Sequence, residues 1–288
     1  MQIDGHTRVF GILGHPTGHS LSPRIHNAAF AARKINAVYV PFDVPRAGAG
    51  LKRALRELPV PGLSVTIPHK AWAAKHADER DALSECCGAA NTLIMRDGLM
   101  YAHNTDGAGA LRALKQHVPD LRGRRFLLLG YGGSATAIAH SLLLDENPAM
   151  LAVGGRSATK ITKFVKALKE RHGRKATLIH GARPDLADLE PEQVDIIIHT
   201  TPLGMKGAPQ ELPLPEDFIQ KFHHVFDIVY NPMRTVLLSH AASRGAQTIP
   251  GYLMLLYQAV IQFELFTGEA APENLMEKEL LAALRKRS

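Results

Sequence analysis

A chain of 288 residues with 45% hydrophobic and 21% charged residues, 24 Gly and 18 Pro has an ordinary folded composition and a length of about two domains; collagen-like, disordered and disulfide-scaffold classes are excluded. Its only two cysteines, Cys86 and Cys87, are adjacent, where a bridge is strained, so a reducing, cytoplasmic location is expected. The net charge of +7 admits nucleic acid, anionic lipid or a small anionic ligand, but the basic residues are scattered without aromatic interleaving or zinc-finger spacing, so no nucleic-acid partner is expected.

In chain order, Met1 to His6 lacks a basic segment followed by an apolar one, and no signal peptide is expected. Val9 to Leu13 reads as a short buried strand, and Ser22-Pro23 offers an N-cap and first-turn proline for a helix over Ile25, Ala28, Ala29 and Ala32. His15 and His19 are four apart, but Pro16 and Gly18 disfavour the helix that would join them as ligands, so no metal is expected. Val38 to Phe42 is a second strand, Ala47 to Leu58 a basic amphipathic helix, and Leu63 to Thr66 a third strand stopped by Pro68. Thr92 to Met95 and Leu99 to Ala102 flank Asp97-Gly98, a dipeptide of tight type I′ hairpins.

A second run opens with a strand over Arg124 to Leu129, then a glycine cluster and a helix to Leu144. The glycines divide the longest uncharged run, Phe126 to Leu144, so no membrane span is expected. Strands at Met150 to Val153, Ala176 to His180, Val194 to His199 and His224 to Val229 alternate with helices at Ser157 to Arg171 and Thr235 to Arg244. Helices at Tyr252 to Phe266 and Pro272 to Arg287 follow. Repeated strand, helix, strand units predict mainly parallel sheet covered on both faces. The expected class is α/β in two lobes with a cleft between them: residues 1–106 completed by the C-terminal helices of 249–288, and residues 107–248. Nothing in the pattern separates a monomer from a homodimer.

Leu128-Leu129-Gly130-Tyr131-Gly132-Gly133-Ser134-Ala135 carries a strand through Gly-x-Gly-x-x-Ala into a helix. Gly130 permits the tight turn, Gly132 lets backbone approach a pyrophosphate, Ala135 allows close helix-to-strand packing, and the helix start at Gly133 and Ser134 attracts negative charge. A plain strand-to-helix turn is the alternative. About 20 residues on, where a NAD site usually carries Asp or Glu, stands Val153-Gly154-Gly155-Arg156-Ser157. Arg156, with Lys160 one turn further, would attract a 2′-phosphate and favours NADP(H); a solvated helix start is the alternative.

At the strand ends of the first lobe, Ser20, Ser22, Thr66, Lys70, Asn91 and Asp106 form a polar set suited to a small polyhydroxylated acid. Taken singly, Ser22 is a helix cap, Asn91 a turn former, Asp106 the cap of a helix starting near Gly107, and Lys70 a solvated lysine.

Gly14-His15-Pro16-Thr17-Gly18-His19-Ser20-Leu21-Ser22-Pro23-Arg24-Ile25-His26-Asn27 resembles the opening signature of the shikimate dehydrogenases. Ser64-Val65-Thr66-Ile67-Pro68-His69-Lys70, Gly88 to Thr92, Asn104-Thr105-Asp106-Gly107, the glycine loop, Thr201 to Met205, Asp227 to Pro232 and Gly251 to Gln258 resemble that family in order and spacing, over nearly the whole chain. The resemblance implies a substrate-binding catalytic lobe, a Rossmann-like NADP-binding lobe, and reversible NADPH-dependent reduction of 3-dehydroshikimate to shikimate in aromatic amino-acid biosynthesis. It implies that Ser20 and Ser22 bind the substrate carboxylate with Tyr230 nearby. Thr66, Asn91 and Gln258 would join Lys70 and Asp106 on the ring hydroxyls, with Lys70 and Asp106 as the catalytic pair. Gly130, Gly132, Gly133, Ser134, Ala135, Arg156, Ser157, Lys160, Thr201 and Gly251 would hold the cofactor. The residue types suit the chemistry, because ketone reduction needs a proton donor at the developing alkoxide and a lysine supplies one.

The chain departs from the family pattern at Ser64, where Asn is usual and a substrate-side hydrogen bond is left to water. It departs at Tyr131, where a small residue is usual, at Gly155-Arg156-Ser157 for Asn-Arg-Thr, and at His199-Thr200 for Asn-Ala. A paralogue acting on quinate or an amino analogue, and a non-catalytic NADP-binding regulator, are the alternative readings.

Overall fold

The chain divides into two compact units, one running to Gly109 and resuming over Leu256–Lys286, the other spanning Ala110–Leu255. The structure, a computed structural model, describes residues 3–183 and 185–286. Met1, Gln2 and Arg287, which figure in the sequence expectations, lie outside the described residues.

The first unit opens with β1 (Arg8–Gly14), α1 (Ser22–Ala32), β2 (Ala37–Asp43), α2 (Ala49–Glu57) and β3 (Gly62–Val65). β1 is buried from Phe10 onward and runs parallel to both β2 and β3, which is why it reads as a continuous apolar run rather than an alternation. Then come α3 (Lys70–His76), the two-residue β4 (Glu79–Arg80), α4 (Ala82–Cys87), the hairpin of β5 (Thr92–Arg96) and β6 (Leu99–His103), and α5 (Thr105–Lys115). The sheet order is β2-β1-β3-β5-β6-β4, with β5 antiparallel to both neighbours. Asp97 and Gly98 turn the hairpin with φ of 52° and 75°, the type I′ pattern that matches strand twist.

The second unit carries β7 (Arg125–Leu129), α6 (Gly133–Ser141), β8 (Met150–Gly154), α7 (Ala158–Arg171), β9 (Ile179–Gly181), β10 (Ile196–His199), β11 (His224–Asp227), α8 (Val236–Ser243) and β12 (Gln247–Pro250). All its strands are parallel, in the order β12-β11-β10-β7-β8-β9. Counted from β7 this is the doubly wound dinucleotide-binding order, and the direction of winding reverses between β7 and β10, where such sheets bind ligands. α9 (Tyr252–Thr267) and α10 (Glu273–Arg285) follow. Phe263 and Phe266 of α9 enter the core of the first unit with Phe10, Phe30 and Tyr39, the Phe10 ring standing 5.3 Å from those of Phe30 and Phe266. Gly62 makes room there, since a Cβ on it would lie 2.4 Å from a Phe266 ring carbon.

Several local expectations are corrected. Leu21, not Ser22, is the N-cap of α1; Ser22 is its buried first residue and donates its N–H to Ser20 Oγ at 3.2 Å. The helix expected to reach Leu144 stops at Ser141, and Leu142–Glu146 widens into a π turn closed by Asn147 in the left-handed region, which asparagine tolerates. Of the strand expected from Ala176, only Ile179 onward pairs, because Gly173–Leu178 tighten into a 3₁₀ segment after α7. β12 is an unforeseen edge strand, where a terminal proline is tolerated. Cys86 and Cys87 are free thiols. Among the described residues no helix is long and apolar enough to cross a membrane.

His26 is fully buried beneath the sheet of the first unit, its ring stacked on Tyr39 at 4.5 Å, and neither ring nitrogen has a hydrogen-bond partner. Desolvation pushes its pKa from 6.5 down to about 3. The folded state thus keeps His26 neutral while the unfolded chain takes up a proton, so stability falls as pH drops below about 6.5 toward 3. Between about pH 7 and pH 5, urea unfolding should show the wild type losing about 2 kcal/mol more stability than His26→Phe, and equal losses would refute this origin of acid sensitivity.

Candidate active site

β3 ends in a turn over Thr66 and the cis Ile67-Pro68 bond, which delivers Lys70 at the start of α3. Its Nζ donates to Asp106 Oδ2 at 2.6 Å, with the lysine side chain 31% exposed and the aspartate 14%. Asp106 lies in the first turn of α5, where the helix dipole favours an anion. The capping role expected of it falls to Asn104, whose Oδ1 accepts the Asp106 N–H at 3.1 Å. Asn91 is no exposed turn former: it is 2% exposed and gives Nδ2 hydrogen bonds of 2.9 Å to both Asp106 Oδ1 and Thr105 Oγ1. Its Oδ1 accepts the Thr105 N–H at 2.8 Å. Both oxygens of Asp106 are therefore oriented, Oδ1 by an amide and Oδ2 by an ammonium, with lone pairs and lysine N–H groups left for a ligand.

Gln258 joins this cluster from α9, its Oε1 3.5 Å from Asn91 Nδ2 and its backbone carbonyl accepting from Thr105 Oγ1 at 3.2 Å. Gly109 permits the approach, since a Cβ there would lie 2.7 Å from Gln258 N. Ser20, Ser22 and Thr66 make none of these bonds. They lie on neighbouring segments packed together at Gly14, where a Cβ would collide with Thr66 Cγ2 at 2.2 Å. Asp43 pins the same loop, accepting the Thr17 N–H at 2.9 Å and contacting His15 Nδ1 at 2.5 Å. The His15 and Thr17 bonds hold its carboxyl below the usual range. His15 is thus spent on Asp43, and among the described residues no group of three metal-ligating side chains occurs.

Ser64 is buried. Its Oγ donates to Gln262 Oε1 at 2.6 Å, and Gln262 Nε2 donates to Asn91 O at 3.1 Å and Thr92 Oγ1 at 3.0 Å. Sequence reasoning missed Gln262; its signal was the spacing of four from Gln258, which places both on one helix face.

In the second unit Gly130 has φ of 126°, and a Cβ on it would strike Thr200 Oγ1 at 2.2 Å. No atom lies within 4 Å of where side chains on Gly132 or Gly133 would project, and no side chain caps α6. The side-chain positions at the start of α6 are therefore open and its first N–H groups take no side-chain cap, both of which a phosphate cradle requires. Ser134 is half-buried and Ala135 is buried behind them. Arg156 is exposed, and Ser157 caps α7 by accepting the Lys160 N–H at 3.4 Å. Uncapped N–H groups at the start of α6, with Lys160 over the Tyr131 ring of the same loop and Arg156 exposed just past the end of β8, form a donor set that fits a dinucleotide carrying a third phosphate.

Beside the winding reversal, His199 and Asp227, each 1% exposed, join the ends of β10 and β11 through a 2.9 Å bond. His199 Nε2 meets Thr201 Oγ1, and Asp227 also accepts from Thr235 Oγ1 at 2.6 Å and Val229 N at 3.0 Å. Gly251 serves close backbone packing, because a Cβ there would lie 2.4 Å from the Ile228 carbonyl carbon. Tyr230 follows β11, half-buried, in the second unit.

Residues 12–93 match the family model described as the shikimate dehydrogenase substrate binding domain, and 251–281 match the shikimate 5′-dehydrogenase C-terminal domain. The shikimate dehydrogenase (NADP(+)) of Methanopyrus kandleri is 40% identical over 288 residues, 99% of each chain. The chain belongs to the shikimate dehydrogenase family. Among solved structures, a shikimate dehydrogenase in complex with NADP+ gives a TM-score of 0.88 at 34% identity, covering 98% of each chain. The shikimate 5-dehydrogenase of Listeria monocytogenes, in complex with shikimate and NAD, gives 0.89 at 32%, covering 97% of this chain and 98% of that one.

In this shikimate dehydrogenase family member the buried Ser64, Gln262 and Thr92 bonds close beneath Asn91. Gln262→Leu should lower stability to urea by about 1–3 kcal/mol, because it strands the buried Ser64 Oγ and removes one of the two donors to the Asn91 carbonyl, Val65 N–H being the other. Ser64→Ala added to that variant should cost little more, so additive losses would show the bonds to be independent.

Proposed function

We propose that this chain catalyses the reversible NADPH-dependent reduction of 3-dehydroshikimate to shikimate, in the pathway of aromatic amino-acid biosynthesis. The observation that carries this reading is the Lys70–Asp106 pair, held by Asn91 at the strand ends of a unit matched to a shikimate dehydrogenase substrate domain. NADPH, when bound, supplies the hydride. Lys70 gives a proton from Nζ to the alkoxide oxygen as it develops and takes it back in the oxidative direction. Asp106 orients Lys70 through Oδ2 and accepts from the adjacent ring hydroxyl, while Asn91 fixes Oδ1. Ser20 and Ser22 donate hydroxyls to the carboxylate with Tyr230, and Thr66 and Gln258 hold the remaining ring hydroxyls.

The cofactor's pyrophosphate belongs on the N–H groups of Gly132, Gly133, Ser134 and Ala135, with Gly130 giving the turn and Thr201 and Gly251 shaping the nicotinamide end. Its 2′-phosphate belongs with Arg156, Ser157 and Lys160. What supports this assignment is the uncapped α6 and the absence of an acid at the end of β8. The substrate domain proposed over 1–106 with 249–288 and the cofactor domain proposed over 107–248 correspond to the two compact units, whose boundaries fall after Gly109 and after Leu255 so that β12 stays whole in the second; a reducing, cytoplasmic location fits the free cysteines.

Absorbance of reduced cofactor at alkaline pH, crossing shikimate and quinate against NADP and NAD, tests the reading. NADP reduction with shikimate is expected, and preference for quinate or for NAD would overturn it. Lys70→Ala should lower kcat by about 10²- to 10⁴-fold without shifting the melting midpoint; near-normal turnover would remove Lys70 as the acid. Ser22→Ala should instead act on KM for shikimate, raising it about tenfold or more through a lost charge-assisted hydrogen bond while kcat changes little.

A further inference from the structure

Tyr131, the second residue of the glycine loop, has its ring carbons against Gly155, just past the end of β8. A Cβ on Gly155 would fall 2.8 Å from Tyr131 Cε1 and 3.3 Å from Cδ1. The first of these is closer than carbon atoms approach, so a side chain at 155 displaces the ring, besides having to take up a φ of 158° that residues other than glycine rarely adopt. Lys160 Nζ stands 5.8 Å from the centroid of the same ring, within cation–π range. No carboxylate pairs with Arg156 or Lys160 among the described residues.

Gly155 follows the second strand of the doubly wound order, the place from which a site for an unphosphorylated ribose presents a carboxylate to the ribose hydroxyls. We propose that Tyr131 and Gly155 are a coupled pair that sets the ribose preference of the cofactor site. The ring occupies the volume that an acid at 155 would need, so no carboxylate reaches the ribose from β8. The same ring seats the Lys160 ammonium over the glycine loop, adding a second cation to Arg156 for a 2′-phosphate. Tyr131 is thus a specificity residue twice over, by exclusion and by holding a charge. The inference rests on the reading of this loop as the NADP(H) site.

Calorimetric titration of the full chain with adenosine 2′,5′-bisphosphate and with 5′-AMP reads the preference without turnover, since the two ligands differ only in the 2′-phosphate. The wild type should bind the bisphosphate at least about tenfold more tightly than 5′-AMP. Tyr131→Ala should weaken the bisphosphate by about two- to fivefold, the size of an exposed cation–π contact, and narrow the ratio. Gly155→Asp alone should lose both ligands, whereas Tyr131→Ala with Gly155→Asp should recover 5′-AMP and reverse the preference. Equal 5′-AMP binding by Gly155→Asp and the double variant, or an unchanged ratio in Tyr131→Ala, would overturn the coupled pair and leave the cofactor site standing. A wild type that binds neither nucleotide would overturn the cofactor reading and the pair together.

Discussion

The first unit depends on one buried amide. Asn91 lies where β5 begins, and no polar group it carries can be left without a partner at its depth without a penalty of about 1–3 kcal/mol each. Its backbone N–H reaches the His103 carbonyl, and its own carbonyl accepts from Val65. Its side chain spans from Thr105 to Asp106. These bonds join the end of β3, the hairpin and the start of α5, so the position of the Lys70–Asp106 pair follows from satisfying an asparagine. Placement by a buried network costs no flexibility at the moment of reaction, which is what the proposed role of Lys70 as proton donor requires.

On the proposed reading, the two units recognise their ligands in opposite ways. In the first, side chains from five segments carry the polar groups, and the backbone supplies only their spacing. In the second, the backbone itself is the proposed recognition surface: a parallel sheet reverses winding between β7 and β10, and α6 begins there with no side chain over its N–H groups. A charged, extended ligand suits backbone donors and a helix dipole, because neither needs a particular side chain to be ordered. A small acid with several stereochemically distinct hydroxyls needs the side chains. The His199–Asp227 bond fits this division, since it fixes strand ends rather than facing solvent.

Local chemistry in the sequence located the elements whose causes are local. Asp97-Gly98 set its hairpin, Ser157 and Thr235 cap their helices, and the continuous apolar runs of β7 and β10 lie in the parallel sheet. What escaped was decided by partners far along the chain. Ser22 reads as a cap because serine before proline usually is one, yet Ser20 takes the bonding and Ser22 is buried. Asn91 reads as a turn former for the same reason, and only the return of the chain at Thr105 and Asp106 shows what its amide is for. Gln262 sits 198 residues from Ser64, and no periodicity connects them. In the site, residue types were legible from motif order; which hydrogen bond each makes was not.

The departures from the family pattern gain a common physical explanation once their neighbours are known. Ser64 is shorter than the usual asparagine, and Gln262 extends to meet its hydroxyl, so the buried site stays satisfied. Gly155 lacks a side chain, and Tyr131 fills the space beside it. His199 brings a ring into the core, and Asp227 and Thr201 take up both of its nitrogens. In a close-packed interior a change of volume or of hydrogen-bonding valence at one position is felt by the atoms it touches, so it persists only where a neighbour absorbs it. A substitution toward the family residue at Ser64, Gly155 or His199 therefore reverts half of a pair, and its cost measures the fit of the partner left behind rather than the merit of the residue restored.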